Sequence, residues 1–328
     1  MADTSNQRIA KNTFFLYLRS IFLLLISLYT SRVTLQILGV DDYGIYQLVG
    51  GVVAMFNMLS GSLASASQRF ITYSLGRDDL DGQKKVFSTC ITLHVVLGLI
   101  VVVVLEVLGI WFLENKLVIP PERMDAARWV MQFSIATFFF NVISVPFNAA
   151  IIAHEKMNAF AFIGILEGVL KLGCVLLLGF ITADKLIYYA LFTFLIAILL
   201  RFIYSIYSHR KFEEARNIKW KIEKGIFKEM FAFAGWNMLG EGSMILRNQG
   251  IDVLLNLFFG VVVNSAKGVS NQVQSAVHQF VANFTTAIRP QLVISIAQKD
   301  YTRAHSLIFH GSRLSFFLMM VFVVPLSV

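Results

Sequence analysis

From residue 12 onward the chain is a succession of apolar runs, each about 20 residues or longer, and no other feature restricts its fold as much. A hydrocarbon bilayer offers no partner to a backbone N–H or C=O. A run of that length is therefore stable there only as a helix that satisfies its own backbone. Eight complete runs are read over 12–38, 45–75, 86–113, 128–152, 158–182, 186–208, 226–260 and 264–297, and a ninth opens near 306. The expected fold is an all-α, polytopic membrane protein.

Charge supports this and gives an orientation. Of the 328 residues 57% are apolar and 15% charged, where a soluble domain carries about a quarter charged. The net charge of +8 is not accompanied by a basic stripe with interleaved aromatics, so no nucleic-acid partner is expected. Its explanation lies in the short loops. Arg8, Lys11, Arg77, Lys84, Lys85, Lys156, the bases between Arg210 and Lys224, Lys299 and Arg303 fall on one side. The opposite loops hold Asp41 and Asp42, a balanced stretch from Glu114 to Arg128, and the Asp184/Lys185 turn. The first side is expected to be cytoplasmic, with the N-terminus on it, and the first run, which has no cleavage site behind it, is a retained helix. Cys90 and Cys174 both lie in apolar runs, which leaves no disulfide framework and no zinc site; neither metal nor cofactor is expected.

The longest polar stretch, 209–225, separates 1–208, an expected six-helix N-lobe, from 226–328, an expected partial C-lobe. With Phe212, Ile218, Trp220 and Ile222 among its bases, this linker suits either a helix on an anionic cytoplasmic leaflet or a solvated connection. Residues 14–90 can be laid over 235–311 at a constant offset of 221, pairing Gly39-Val40 with Gly260-Val261, Leu25 with Leu246, Val52 with Val273, Ala66 with Ala287 and Ser74 with Ser295. Identities are few, but span, tight turn, span, polar loop and span recur in one order. An even number of spans precedes the restart, so the expected architecture is a two-lobed helical bundle related by a parallel repeat. The last run stops at Val328 without a charged flank, from which an incomplete second lobe and a truncated chain are expected.

Two stretches carry a family resemblance: TSRVTLQILGVDDYGIYQLVGG (30–51) and SGSLASASQRFITYSLGRDD (60–79). With Arg32, Leu38, Gly39, Asp42, Tyr43 and Gly44, the first resembles the "R, then LG, then D/E-x-Y/F-G" entry of the multidrug/oligosaccharidyl-lipid/polysaccharide flippase superfamily, in particular its Wzx-type polysaccharide-transporter branch. The resemblance implies two six-helix lobes facing each other across a cavity that opens alternately to either side of the bacterial inner membrane. It also implies a polyprenyl-pyrophosphate-linked oligosaccharide as cargo, for O-antigen or capsule. Membrane lipids, a polysaccharide polymerase and a chain-length regulator are the further partners it suggests.

An ionised group at bilayer depth costs about 2.5–3.5 kcal/mol, so each one there is a functional candidate unless it can reach the interface. The candidates are Arg19, Arg32, Arg69, His94, Glu106, Glu167, Lys171, Arg201, Glu241, Arg247, Asp252, His278 and Arg289. Bases outnumber acids, as a cavity for an anionic headgroup requires. Arg19, Arg32 and Arg247 are expected to bind the pyrophosphate through paired N–H donors, with an interface anchor as the other reading of Arg32. Glu241 and Asp252 are either proton or sodium acceptors or structural partners of Arg247. Asn237, Asn248, Gln274 and His278 suit sugar hydroxyls, and equally interhelical packing. Glu167 and Lys171 stand four apart on the fifth span, either neutralising each other or responding to substrate. Arg69 and Arg201 are close enough to the cytoplasmic side to snorkel.

Other chemistries lack their signatures. There is no GxxxxGK[ST] loop for ATP, HEKMN at 154–158 has no second zincin histidine, and Asp79-Leu80-Asp81 sits in a turn without a surrounding catalytic domain. A cation-coupled multidrug exporter of the same superfamily is the main alternative, and it calls for an acidic or aromatic cavity. A glycosyltransferase or O-antigen ligase needs an ordered extramembrane site, and no loop on the acidic side is longer than Glu114 to Ala127. A transporter rather than an enzyme is expected.

Overall fold

A computed structural model describes the backbone of residues 2–216, 218 and 222–327. Side chains are described over the same residues apart from 2–5, a set of positions between 245 and 276, 322, and 325–327. The described secondary structure is helical throughout: α1 (Ala2–Ala54), α2 (Asn57–Gly76), α3 (Leu80–Val104), α4 (Ile110–Asn115), α5 (Met124–Ala153), α6 (Met157–Leu178), α7 (Lys185–Lys211), α8 (Lys224–Ala297) and α9 (Tyr301–Ser327). Among the described residues, five helical stretches are long and apolar enough to cross a membrane. The chain is thus an all-α, multi-pass membrane protein.

Two helices, α1 and α8, are each long enough to cross a bilayer twice, and each conceals a reversal. In α1 the break falls at Gly39, whose φ of 82° and ψ of 172° lie where only glycine is unstrained. It divides a first span from the one that continues through α2. In α8 the reversal follows from contacts. Glu241 accepts a hydrogen bond from Ser62 of α2, whereas Ala297 lies against Gly76 at the end of the same helix. Ser62 and Gly76 are about 21 Å apart along α2, but a straight helix would hold Glu241 and Ala297 about 84 Å apart. The chain therefore doubles back between Glu241 and Asn283. Gly260 and Val261, where the sequence places that turn, lie outside the described residues.

The third span does not stop at a turn either. From α3 it passes through a π-helical segment, Leu105–Gly109, into α4, which keeps it helical from Leu80 to Asn115. Within that segment Glu106 accepts from Gln132 Nε2 of α5 at 2.9 Å, so the carboxylate is met by a neighbouring span.

The first six spans pack around two apolar clusters. One, towards the end of the bundle where α1 begins, centres on Phe87, Leu93, Phe147 and Ile151. Phe87 and Phe147 meet edge to face at 5.5 Å, a geometry worth about 0.5–1.5 kcal/mol beyond simple contact. The other, at the opposite end, gathers Val49, Leu105, Val130, Met131 and Leu186. Leu24, Leu25 and Leu28 of α1 stay exposed, an aggregation hazard in water but the ordinary outer wall of a helix in lipid.

At the end opposite the N-terminus one arginine ties three loops. Arg123, between α4 and α5, donates Nε and Nη2 to the two carboxylate oxygens of Asp42 at 2.9 and 2.6 Å. Its Nη1 and Nη2 also reach Asp184 at 2.7 and 3.2 Å. Asp184 caps α7 as well, accepting from the backbone N–H groups of Leu186 and Ile187. Partial burial would raise this carboxyl, but the Arg123 hydrogen bonds and charge, with the two N–H donors, outweigh it and hold Asp184 below its ordinary range. The Asp42 of the entry motif thus locks the turn after Gly39 against the rest of the bundle.

The segment from 224 onward docks on the first bundle by contacts that match the offset of 221. The turn after α2 has Asp78 at φ 55°, and the turn after α8 has Lys299 at φ 61°. Asp79 accepts from Gly82 N, and Asp300 from Arg303 N, each at 3.0 Å. Between the segments Asn283 donates to Ser20 at 2.8 Å and Ser62 to Glu241 at 3.3 Å. Adding 221 to 20 gives 241, and taking it from 283 gives 62, so each bond is the exchanged counterpart of the other. Tyr17 against Phe280, Leu16 with Ala287, and Gln291 donating to Glu155 extend these contacts towards the N-terminal end.

Candidate functional site

Arg19 is the one of the three expected anion-binding bases that lines a described cavity in the first bundle. Gly164 and Gly168 stand one turn apart on α6 and leave a notch against α1; a Cβ on them would lie 2.2 Å from Arg19 Nε and 2.7 Å from Leu23. Small residues of this kind let two helix backbones approach inside a membrane. Arg19 runs across the notch with its guanidinium carbon 4.6 Å from the ring centre of Phe160. Its Nε is buried without a hydrogen-bond partner. An arginine with an unbonded Nε at bilayer depth is available to a ligand in a way that a fully bonded one is not.

Above Arg19 opens a cavity of about 330 Å³, walled by α1, α6 and α7. Ser27, Thr30, Ser31, Tyr43, Tyr46 and Tyr189 line it, as do Glu167 and Lys171. Tyr46 and Tyr189 pack at 4.6 Å between ring centres, and the Thr30 hydroxyl has no partner. Lys171 Nζ is 2.6 Å from Glu167 Oε1, the four-residue spacing bringing them to one face of α6. Lys171 and Tyr46 also border a second polar cavity of about 250 Å³, lined further by Asn57, Ser134, Thr137 and Asn141. The cations are therefore set among hydroxyl and amide groups, which suits a hydrated anion joined to a polyol.

Arg19 is thus on a cavity wall, together with the Glu167/Lys171 pair. Arg32 and Arg247 are exposed and border neither cavity. Glu241 reaches Ser62 at the junction of the two segments. Asn237 is half-buried, Gln274 and His278 are exposed, and Asn248 and Asp252 lie outside the described side chains. Arg69 and Arg201, read as snorkelling, instead turn onto aromatic rings, 4.4 Å from Phe233 and 4.1 Å from Phe147. His94 is fully buried, with Nδ1 2.7 Å from the Cys90 carbonyl. The tyrosines of the cavity were missed by sequence reasoning. Tyr43 belongs to the entry motif, but nothing in spacing joins it to Tyr189.

The cavity can be set beside known proteins. A family model described as "Polysaccharide biosynthesis protein" matches residues 9–299. A comparison with curated proteins finds no significant match. Among solved structures, an outward-facing multidrug resistance MATE family transporter of the MOP superfamily superposes with a TM-score of 0.82 at 12% identity, over 98% of this chain and 71% of that one. A MATE in complex with MaD3S gives 0.83 at 12% identity, over 98% and 72%. A MOP superfamily transporter from Pyrococcus furiosus, described as having a binding pocket of reverse polarity, gives 0.77 at 12% identity, over 94% and 70%. With its described spans arranged as in these transporters and the family model matched over most of its length, the chain belongs to the polysaccharide biosynthesis protein family of the multidrug/oligosaccharidyl-lipid/polysaccharide flippase superfamily.

Proposed function

We propose that the chain carries a polyprenyl-diphosphate-linked oligosaccharide across the bacterial inner membrane, with its N-terminus cytoplasmic, for O-antigen or capsule assembly. The observation that carries this reading is the charge of the cavity in the first bundle. Arg19 and Lys171 line it with a single acid, Glu167, and hydroxyls surround them. A diphosphate loses water on entering the bilayer, and the guanidinium and ammonium donors replace it. Sugars next to the diphosphate find the amides and hydroxyls of the adjoining cavity. Outward movement of one negative charge gains about 2.3 kcal/mol per 100 mV of membrane potential. Glu241 and Asp252 remain the proposed ion-coupling acids, and Arg32 and Arg247 the proposed anion contacts along the path.

The test is surface polysaccharide in cells that depend on this protein. Arg19→Ala is expected to abolish it at matched protein levels, and Arg19→Lys, which keeps the charge but loses the fork, to retain part. Full complementation by the Ala variant would remove Arg19 from the headgroup site. The second reading, a cation-coupled exporter, is favoured by the similar solved structure described as a multidrug resistance transporter. It requires a cavity attractive to cations. Protection against lipophilic cations by the wild-type protein, unaffected by Arg19→Ala, would establish it in place of the first.

A further inference from the structure

We infer that Glu167 is a stand-in for the cargo's anion: it holds Lys171 while the cavity is empty and gives up that cation when a doubly charged headgroup enters. This rests on the reading of the cavity as a diphosphate site.

Three observations lead there. Glu167 and Lys171 line the same cavity as Arg19, and Glu167 is the one acid among its described lining residues. Their contact is short, 2.6 Å, yet the side chains are 34% and 48% exposed, so the pair lies on the cavity wall within reach of an entering group. Both residues are on α6, four positions apart, so the pair forms and dissolves by side-chain rotation alone. Arg19, by contrast, has a buried Nε with no partner and no acid of its own.

The balance of charge sets the condition for entry. The empty cavity holds two cations and one carboxylate, and so one net positive charge, on Arg19. A singly charged headgroup satisfies Arg19 and leaves the ion pair intact. A diphosphate linking sugar to polyprenol carries about two charges and needs a second cation close by, which Lys171 supplies only after Glu167 turns away. The released carboxylate then has Tyr43, Tyr46 and Tyr189 hydroxyls in the same cavity as donors. Glu167 is therefore a specificity-determining residue. One charge is bound by Arg19 with the pair closed, and a second is bound only when the pair opens.

The sign of the effect separates this from a structural role. With the purified full chain in lipid nanodiscs and geranyl diphosphate as the probe in calorimetry, Glu167→Gln is expected to bind about two- to fivefold tighter than wild type, the gain from releasing a partly exposed ion pair. With geranyl methyl phosphate, a phosphodiester of one negative charge that binds Arg19 with the pair closed, the same variant is expected to gain less, and the preference for the diphosphate widens. Glu167→Ala serves as the second variant and should shift in the same direction, while Lys171→Met should lose the diphosphate preference. Equal or weaker diphosphate binding by both Glu167 variants, with wild type binding and Arg19→Ala not, overturns the inference and leaves the headgroup reading intact. Absence of binding by wild type overturns the headgroup reading itself.

Discussion

Arg123 and Arg19 belong to the same bundle and are used in opposite ways. Arg123 spends its Nε and both terminal nitrogens on four hydrogen bonds to Asp42 and Asp184, and through them holds three loops together. Arg19 lies over Phe160 with its Nε unbonded, on the wall of a hydroxyl-rich cavity. A cation saturated by fixed acids has nothing left for a ligand, whereas one held mainly by an aromatic face and a glycine notch keeps donors to offer. The difference distinguishes a structural charge from a binding charge better than depth in the membrane does.

The comparison predicts unequal responses to mutation. Arg123→Leu should give the largest change, about 2–3 kcal/mol of stability, because it strands two partly buried carboxylates. Arg19→Leu should cost well under half of that in the same thermal unfolding measurement in detergent. Equal losses would mean that Arg19 is structural too. Gly164→Ala comes next: its Cβ would fall 2.2 Å from Arg19 Nε, so the guanidinium must move. Binding of geranyl diphosphate should drop about fivefold, a little under 1 kcal/mol, with little change in melting temperature, since the atom displaced is the far part of a flexible side chain. Unchanged binding would show that Arg19's position over the notch is immaterial. Acid should have the smallest effect. Asp184 is held below its ordinary value of 3.8, so its contribution is present above that pH and is lost as pH falls through the depressed value. Asp184→Asn should flatten the stability curve below about pH 4, where an unaltered slope would remove Asp184 from the clamp.

Much of the fold was legible because bilayer thickness converts directly into residue count. The runs marked their own helices, and Gly39 marked the first reversal by being the residue that tolerates φ 82°. The offset of 221 anticipated turns that share their left-handed residue, Asp78 and Lys299, although neither position looked alike as a residue type. The Glu167/Lys171 contact was readable because helical periodicity fixes four-residue neighbours. The clamp was not: Asp42, Arg123 and Asp184 are 61 and 81 residues apart, and only packing joins them. Arg19 was found as a deep base, but its cavity was not, because Tyr46 and Tyr189 sit on separate helices and look like ordinary aromatic positions.

The exchanged bonds between the segments also bear on the order of assembly during synthesis. Ser62 and Glu241 are 179 residues apart, and Ser20 and Asn283 are 263 apart. A ribosome adding about 5–20 residues each second completes the clamp at Asp184 several seconds before Asn283 exists. The first bundle therefore has time to insert and close around its own contacts while its docking surface waits uncovered in the bilayer. Loop-closure entropy weighs most on these two distant bonds, so the junction between segments acquires its native geometry after the first bundle has closed.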